Sequence, residues 1–213
     1  MKEIPLLLIS AASIGFFHTL LGPDHYLPFI VMGKAKKWSI RKVAFITSIA
    51  GLAHVGSSVV LGFLGVAFGL AINKLEIFES VRGSIAAWML IAFGLAYFVW
   101  GVRKAVKDHS HDHPPIHKEI DMTPWILFTI FVFGPCEPLI PLLMYPAAKH
   151  SLWGVFWVVL VFGWMTISTM LGIVLISIYG INILQFQKME RYAHAFAGGI
   201  ILFCGLAIQF LGL

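Results

Sequence analysis

Residues 22–39 read GPDHYLPFIVMGKAKKWS, and residues 134–151 read GPCEPLIPLLMYPAAKHS. At one fixed offset the two stretches share Gly22/Gly134, Pro23/Pro135, Leu27/Leu139, Met32/Met144, Ala35/Ala147, Lys37/Lys149 and Ser39/Ser151. The match continues at Val43/Val155 and Gly51/Gly163, then one residue out of step at Glu79/Glu190 and Ala86/Ala197. Shared apolar composition yields scattered coincidences, but not collinear glycines, prolines and loop residues. The chain therefore reads as a duplication. Each copy carries three long apolar runs, an odd number, so the second copy enters a membrane inverted. Transporters built this way place their site where the copies meet, on interrupted helices.

Composition agrees with a membrane chain. Of 213 residues, 59% are hydrophobic and only 12% charged, half the charged share of an average soluble domain, about 25%. This excludes a soluble enzyme, a disordered chain and a nucleic-acid module. A spanning helix needs about 20 apolar residues, and six runs qualify: 4–32, 40–72, 81–102, 123–148, 152–183 and 192–213. The expected fold is an all-α polytopic membrane protein of six transmembrane helices. Residues 1–107 form the first three-helix repeat, 108–121 a His-rich loop, and 122–213 the second repeat.

The net charge of +5 reads as loop charge, not nucleic-acid binding. The first, third and fifth loops hold Lys34, Lys36, Lys37, Arg41 and Lys42, then Arg103, Lys104, Lys107 and Lys118, then Lys188 and Arg191. The opposite face holds only Lys2, Lys74, Arg82 and Lys149. The positive-inside rule then sets those three loops in the cytoplasm and both termini outside.

Chemistry is carried by ionisable groups inside the runs: His18, Asp24, His25, His54, Glu137 and His194, with Cys136 beside Glu137. An acidic side chain at the bilayer centre costs about 2.5–3.5 kcal/mol on insertion scales, so such groups face the bundle interior and mark function. No Lys or Arg lies mid-run to pair Asp24 or Glu137, and a passing cation is the missing partner. A purely structural His–carboxylate pair would suffice for one lone group, not for seven. Asp24-His25 and Cys136-Glu137 each follow Gly-Pro, where proline removes an amide hydrogen and breaks or kinks the helix. A carboxylate and an imidazole then meet a thiol and a carboxylate, a mixed donor set suited to a divalent transition metal.

His18 stands two turns before His25, about 10 Å along an unbroken helix, unless the chain unwinds between them. His54, in GLAHVGSSVVLG, is the repeat partner of Thr166. Ser57, Ser58, Thr166, Ser168 and Thr169 read as helix-packing groups. His194 is the weakest ligand candidate, and Cys204 reads as a small apolar residue. In DHSHDHPPIHKEID, His109, His111, His113 and His117 make a His-rich tract fit for loose metal capture, and also a solvated linker.

HTLLGPDHYLPF (from His18) resembles the His-then-Asp-His signature of the nickel/cobalt permeases, and GLAHVGSSVV their His-Ser-Val-Val signature. The His-rich loop is similar to that of the nickel/cobalt efflux proteins. The chain departs from the permease pattern in having five positions, not four, between His18 and Asp24. GPCEPLIP resembles the Pro-Cys-x-x-Pro element of the membrane electron carriers of cytochrome c biogenesis, which need a cysteine in each half, where this chain has Asp24 opposite Cys136. Both groups belong to one superfamily of six-span inverted-repeat proteins, known as urease-accessory or sulfite-exporter-like.

The resemblance implies a transporter, not an enzyme, in a bacterial-type inner membrane. Its substrate would be a divalent metal, nickel or cobalt first and zinc or iron next, with a homo-oligomer left open. Two alternatives stand beside it. One is a thiol–disulfide electron carrier using Cys136. The other is a sulfite or organic anion exporter, disfavoured because an anion site wants Arg, Lys or helix N-termini.

Overall fold

The computed structural model describes residues 3–69, 72–107, 121–149, 151–183 and 191–212. Among these, all regular structure is helical: α1 (Glu3–Leu21), α2 (Leu27–Ala35), α3 (Ile40–Ala67), α4 (Ile72–Lys107), α5 (Thr123–Phe133), α6 (Leu139–Ala148), α7 (Leu152–Ile183) and α8 (Ala193–Leu211). Five of them, α1, α3, α4, α7 and α8, are long and apolar enough to cross a membrane. Large side chains face outward along these helices, among them Phe45, Leu52, Trp88, Trp164, Ile176 and Phe203, each more than half exposed. In water such a surface would aggregate; against acyl chains it is the solvated face.

Local chemistry sets the ends. Ser39 caps α3, its Oγ accepting from the Lys42 amide at 3.3 Å. Gly69, at φ +61°, follows the end of α3, so that helix stops at Ala67 and not at residue 72. Gly212 at φ +67° closes α8 in the same way. Helix α4 begins nine residues before the apolar run at 81. Asn73, Lys74 and Glu76 are polar yet helix-compatible, and Glu79 pairs with Arg82 one turn on at 2.7 Å, so hydropathy understated this helix.

α4 and α8 pack closely. A Cβ on Gly94 would collide with the Leu202 backbone, on Gly101 with that of Ala195, and on Gly198 with that of Phe98. Small residues at seven-residue steps on both helices (Gly94 and Gly101, Gly198 and Gly205) let the backbones touch, the usual way helices adhere where no hydrophobic effect drives them together. A large apolar core joins α2, α3, α4, α5, α7 and α8 through Phe29, Ile46, Leu90, Phe131, Met170 and Ile201. A smaller one joins α1, α3, α6 and α7 through Ala11, Val55, Leu139, Val158 and Phe162. Between these cores the chain leaves the helix twice, at Gly22-Pro23 and at Gly134-Pro135.

Candidate metal centre

The first break builds most of the site. The Gly22 amide still donates to His18 O at 3.0 Å, closing α1, but Pro23 has no amide hydrogen to continue the ladder. A single tight turn over Pro23–His25 follows, held by His25 N to Gly22 O at 3.1 Å and Tyr26 N to Pro23 O at 3.3 Å. The Tyr26 hydroxyl reaches back to Leu20 O, satisfying one carbonyl freed by the break. The turn folds His25 back on His18, and the ring centroids lie 4.7 Å apart. His54, halfway along α3, brings its ring to 5.0 Å from His25.

Among the described residues, His18, His25 and His54 form the group of His, Cys, Asp or Glu side chains close enough to share one ion. One ligand atom from each lies within 4.8 Å of the others. His25 and His54 are buried and His18 half-buried. Four of their nitrogens, His18 Nε2, His25 Nε2 and both of His54, are buried with no hydrogen-bond partner. Each unsatisfied buried polar atom costs about 1–3 kcal/mol, so an unliganded cluster of this kind is expensive. Imidazole nitrogens on a tetrahedral ion at about 2.0–2.1 Å stand roughly 3.3 Å apart, and modest ring rotations close the present gaps.

Asp24 sets the tautomer. His25 Nδ1–H donates to Gly22 O at 3.1 Å and to Asp24 Oδ1 at 3.3 Å. The proton is thereby on Nδ1 and the lone pair on Nε2, the atom left unpartnered. A carboxylate behind a ligating imidazole fixes ring orientation and raises its basicity. Asp24 acts here through His25.

The second break borders the same cluster. A Cβ on Gly134 would lie 3.1 Å from His54 Nδ1, as one on Gly22 would lie 2.6 Å from His25 Nδ1. Each break thus presents a bare glycine to an imidazole. A cavity of about 590 Å³ runs from the three imidazoles, past Asp24 and Glu137, to Ser80, Ser84, Gln209 and Gly212. That is the end of the bundle where α4 begins and α8 finishes. In the other direction the large core closes the passage, with Phe29 and Phe131 stacked edge to face at 4.6 Å and Phe131 at 6.1 Å from His54.

The remaining sequence candidates fall elsewhere. Glu137 lines the cavity and is exposed. Cys136 turns the opposite way, into the smaller core, fully buried and outside the cavity lining. Both Cys136 and Cys204 are free thiols. His194 sits at the start of α8, about 22 Å along that helix from Gln209. Its Nδ1 is 2.7 Å from the Tyr97 hydroxyl, and its ring lies against Trp100 at 5.0 Å. His109, His111, His113 and His117 lie outside the described residues.

Two buried groups escaped the sequence reading. Glu79 is fully buried and Arg82 largely so, and together they stand behind the second break. By sequence Arg82 reads as a loop cation, because it stands at the start of the apolar run. A Glu and an Arg three residues apart, followed by Gly83-Ser84, was the available signal for a paired charge inside a close helix contact.

No protein-family model, curated protein or solved structure matches the chain.

Proposed function

We propose that this protein is a membrane transporter for a divalent transition metal, with nickel or cobalt favoured by the sequence signatures and zinc or iron compatible with the donors. The observation that carries the reading is the trio of imidazoles from α1, the turn after it and α3, with unpartnered nitrogens converging on the wall of a cavity. His18, His25 and His54 take the ion as substrate, and Asp24 supports His25. Intermediate nitrogen donors favour such metals over magnesium or calcium, which prefer all-oxygen sites. Glu137, on the cavity wall, attracts the cation on its way to the cluster.

In this reading α1 with α2, and α5 with α6, each make one broken span, giving six spans in two inverted units. By the positive-inside rule the termini and the cavity mouth face outside, and the His-rich loop faces the cytoplasm. Imidazoles bind metal only when deprotonated, so proton uptake by the cluster offers a route to release the ion. The electron-carrier and anion-exporter alternatives gain no support: Cys136 is buried away from the cavity, and the Arg82 guanidinium hydrogens are engaged by protein oxygens.

The test is binding and flux together. Purified protein should take up close to one nickel or cobalt ion per chain by elemental analysis, with His–metal bands in its absorption spectrum. His25→Ala and His54→Ala should fold, lose that ion and lose transport in vesicles. Undiminished metal binding in the His18→Ala, His25→Ala, His54→Ala triple variant would end this reading.

A further inference from the structure

The second break holds a cation of its own. Arg82 Nη1 donates to Glu79 Oε1 at 2.7 Å and to Ser58 Oγ at 3.4 Å. Its Nη2 donates to Ser57 Oγ at 2.7 Å, Val132 O at 2.9 Å and Gly134 O at 3.3 Å. One guanidinium therefore ties α4 to α3 and to the two carbonyls left open where α5 stops. Helix ends buried without partners for their last carbonyls are costly, and here a side chain supplies the partner.

The same contacts reach both the proposed metal centre and the unwound segment of the break. Ser57 Oγ donates to His54 O at 2.9 Å, so the α3 backbone that carries His54 is held through Ser57. Ser58 Oγ accepts the Cys136 amide at 3.3 Å, pinning the unwound segment to α3 one turn beyond His54. Pro135 is wedged against Gly83, where a Cβ would come within 2.9 Å of its ring. Glu79, itself fully buried, supplies the counter-charge to the guanidinium at 2.7 Å.

We propose that Arg82 is a positioning residue, a latch that fixes the second helix break against α3 and so holds His54 and the cavity wall in register. The planar fork is required, because one group must meet acceptors on three elements at once. The lysine point charge has three donors and one nitrogen, and reaches only part of the set. The latch stands on hydrogen-bond geometry alone; its consequence for metal affinity rests on the proposed function.

The two native cysteines provide the readout. Cys136 lies inside the latched segment and Cys204 on α8, and both are buried. Full-length protein is treated with N-ethylmaleimide, and each cysteine is followed by peptide mass spectrometry. In Arg82→Gln, Cys136 should label about tenfold faster or more, as expected when charge-assisted bonds that close a local opening are lost. Cys204 should label at its wild-type rate. Arg82→Lys and Ser57→Ala should give intermediate Cys136 rates, and nickel affinity should fall in the same order.

A merely structural role would expose Cys136 and Cys204 together, and that result overturns the latch. Unchanged Cys136 labelling in Arg82→Lys and Ser57→Ala overturns it as well, even if Arg82→Gln does not fold. Failure of the metal reading has a separate signature: the wild type binds no nickel while the Cys136 pattern is as predicted.

Discussion

Gly22→Ala separates the site from the fold. Gly22 has φ −91° and ψ 91°, at negative φ and close to the extended region that alanine before a proline adopts, so no left-handed penalty arises. The new methyl, however, would lie 2.6 Å from His25 Nδ1, 2.9 Å from its Cε1 and 3.0 Å from Asp24 Oδ1. Ordinary contact begins near 3.4 Å, so the ring must retreat by roughly 0.8 Å. The ring is the mobile partner, and its retreat stretches the Nδ1–H bond to Asp24 and carries Nε2 away from His18 and His54. Losing the partner that orients a metal-ligating imidazole costs about 10–100-fold in affinity, or ~1.4–2.8 kcal/mol. Stability should move the other way or not at all, because Gly→Ala at a compatible position gains about 0.4–1 kcal/mol from the unfolded chain. The assay is competitive nickel titration of purified wild type and Gly22→Ala, with thermal unfolding of the same samples. Wild-type affinity in a normally folded Gly22→Ala protein would refute the placement of His25 at the centre of the site.

Three further outcomes are expected. His194→Ala should leave nickel affinity unchanged by titration, since its ring packs on Tyr97 and Trp100 at the far end of α8. Replacing His109, His111, His113 and His117 with alanine should lower apparent affinity for cytoplasmic metal in vesicle assays yet leave transport measurable. Asp121 gives a pH signature: partial burial pushes its carboxyl up, but hydrogen bonds from Thr123 and Trp38 and the Lys36 ammonium hold it down, from 3.8 to about 2. A folded value below the unfolded one stabilises the fold fully above about pH 4 and is lost as pH falls toward 2. The gap in thermal stability between wild type and Asp121→Asn should therefore shrink over that window.

The legible parts of the sequence were those where one residue type dictates the backbone. Proline after glycine announces a helix break without reference to anything distant, and both breaks stand at Gly22-Pro23 and Gly134-Pro135. Intramembrane histidines announce themselves by cost, and His18, His25 and His54 do meet. What stayed hidden depends on which way a turn throws its side chains. Cys136 and Glu137 are consecutive, yet one enters the small core and the other the cavity. Pairing Asp24 with Cys136 across the repeat anticipated a shared donor set, whereas the thiol is packed among Leu139, Val155 and Phe162. His194, the weakest ligand candidate in the sequence, lies at the opposite end of α8 from Gln209, against Tyr97 and Trp100. Arg82 looked exposed because a charge at the edge of an apolar run is read as solvated until a partner such as Glu79 is seen across the turn.

The two breaks share a backbone plan and differ in chemistry. At the first, carbonyls freed by the unwinding are met by the Tyr26 hydroxyl and the His25 ring, both from the break itself. The imidazole nitrogens that remain are left without protein partners. At the second, Val132 O and Gly134 O are met by Arg82, which comes from α4 and brings its own carboxylate. The oxygens at that break are thereby already engaged by a cation with its own counter-ion, which leaves fewer donors there for a metal. Under the proposed function one site per chain is expected, on the side of the first break. On the proposed function, the two Gly-Pro breaks are divided between a cation that is covalently part of the protein and one that arrives from solution. In that reading the two breaks take different roles: the second anchors while the first exchanges its ligand. In that reading the break held by Arg82 supplies a wall opposite His18, His25 and Asp24, and His54, held through Ser57, belongs to the wall.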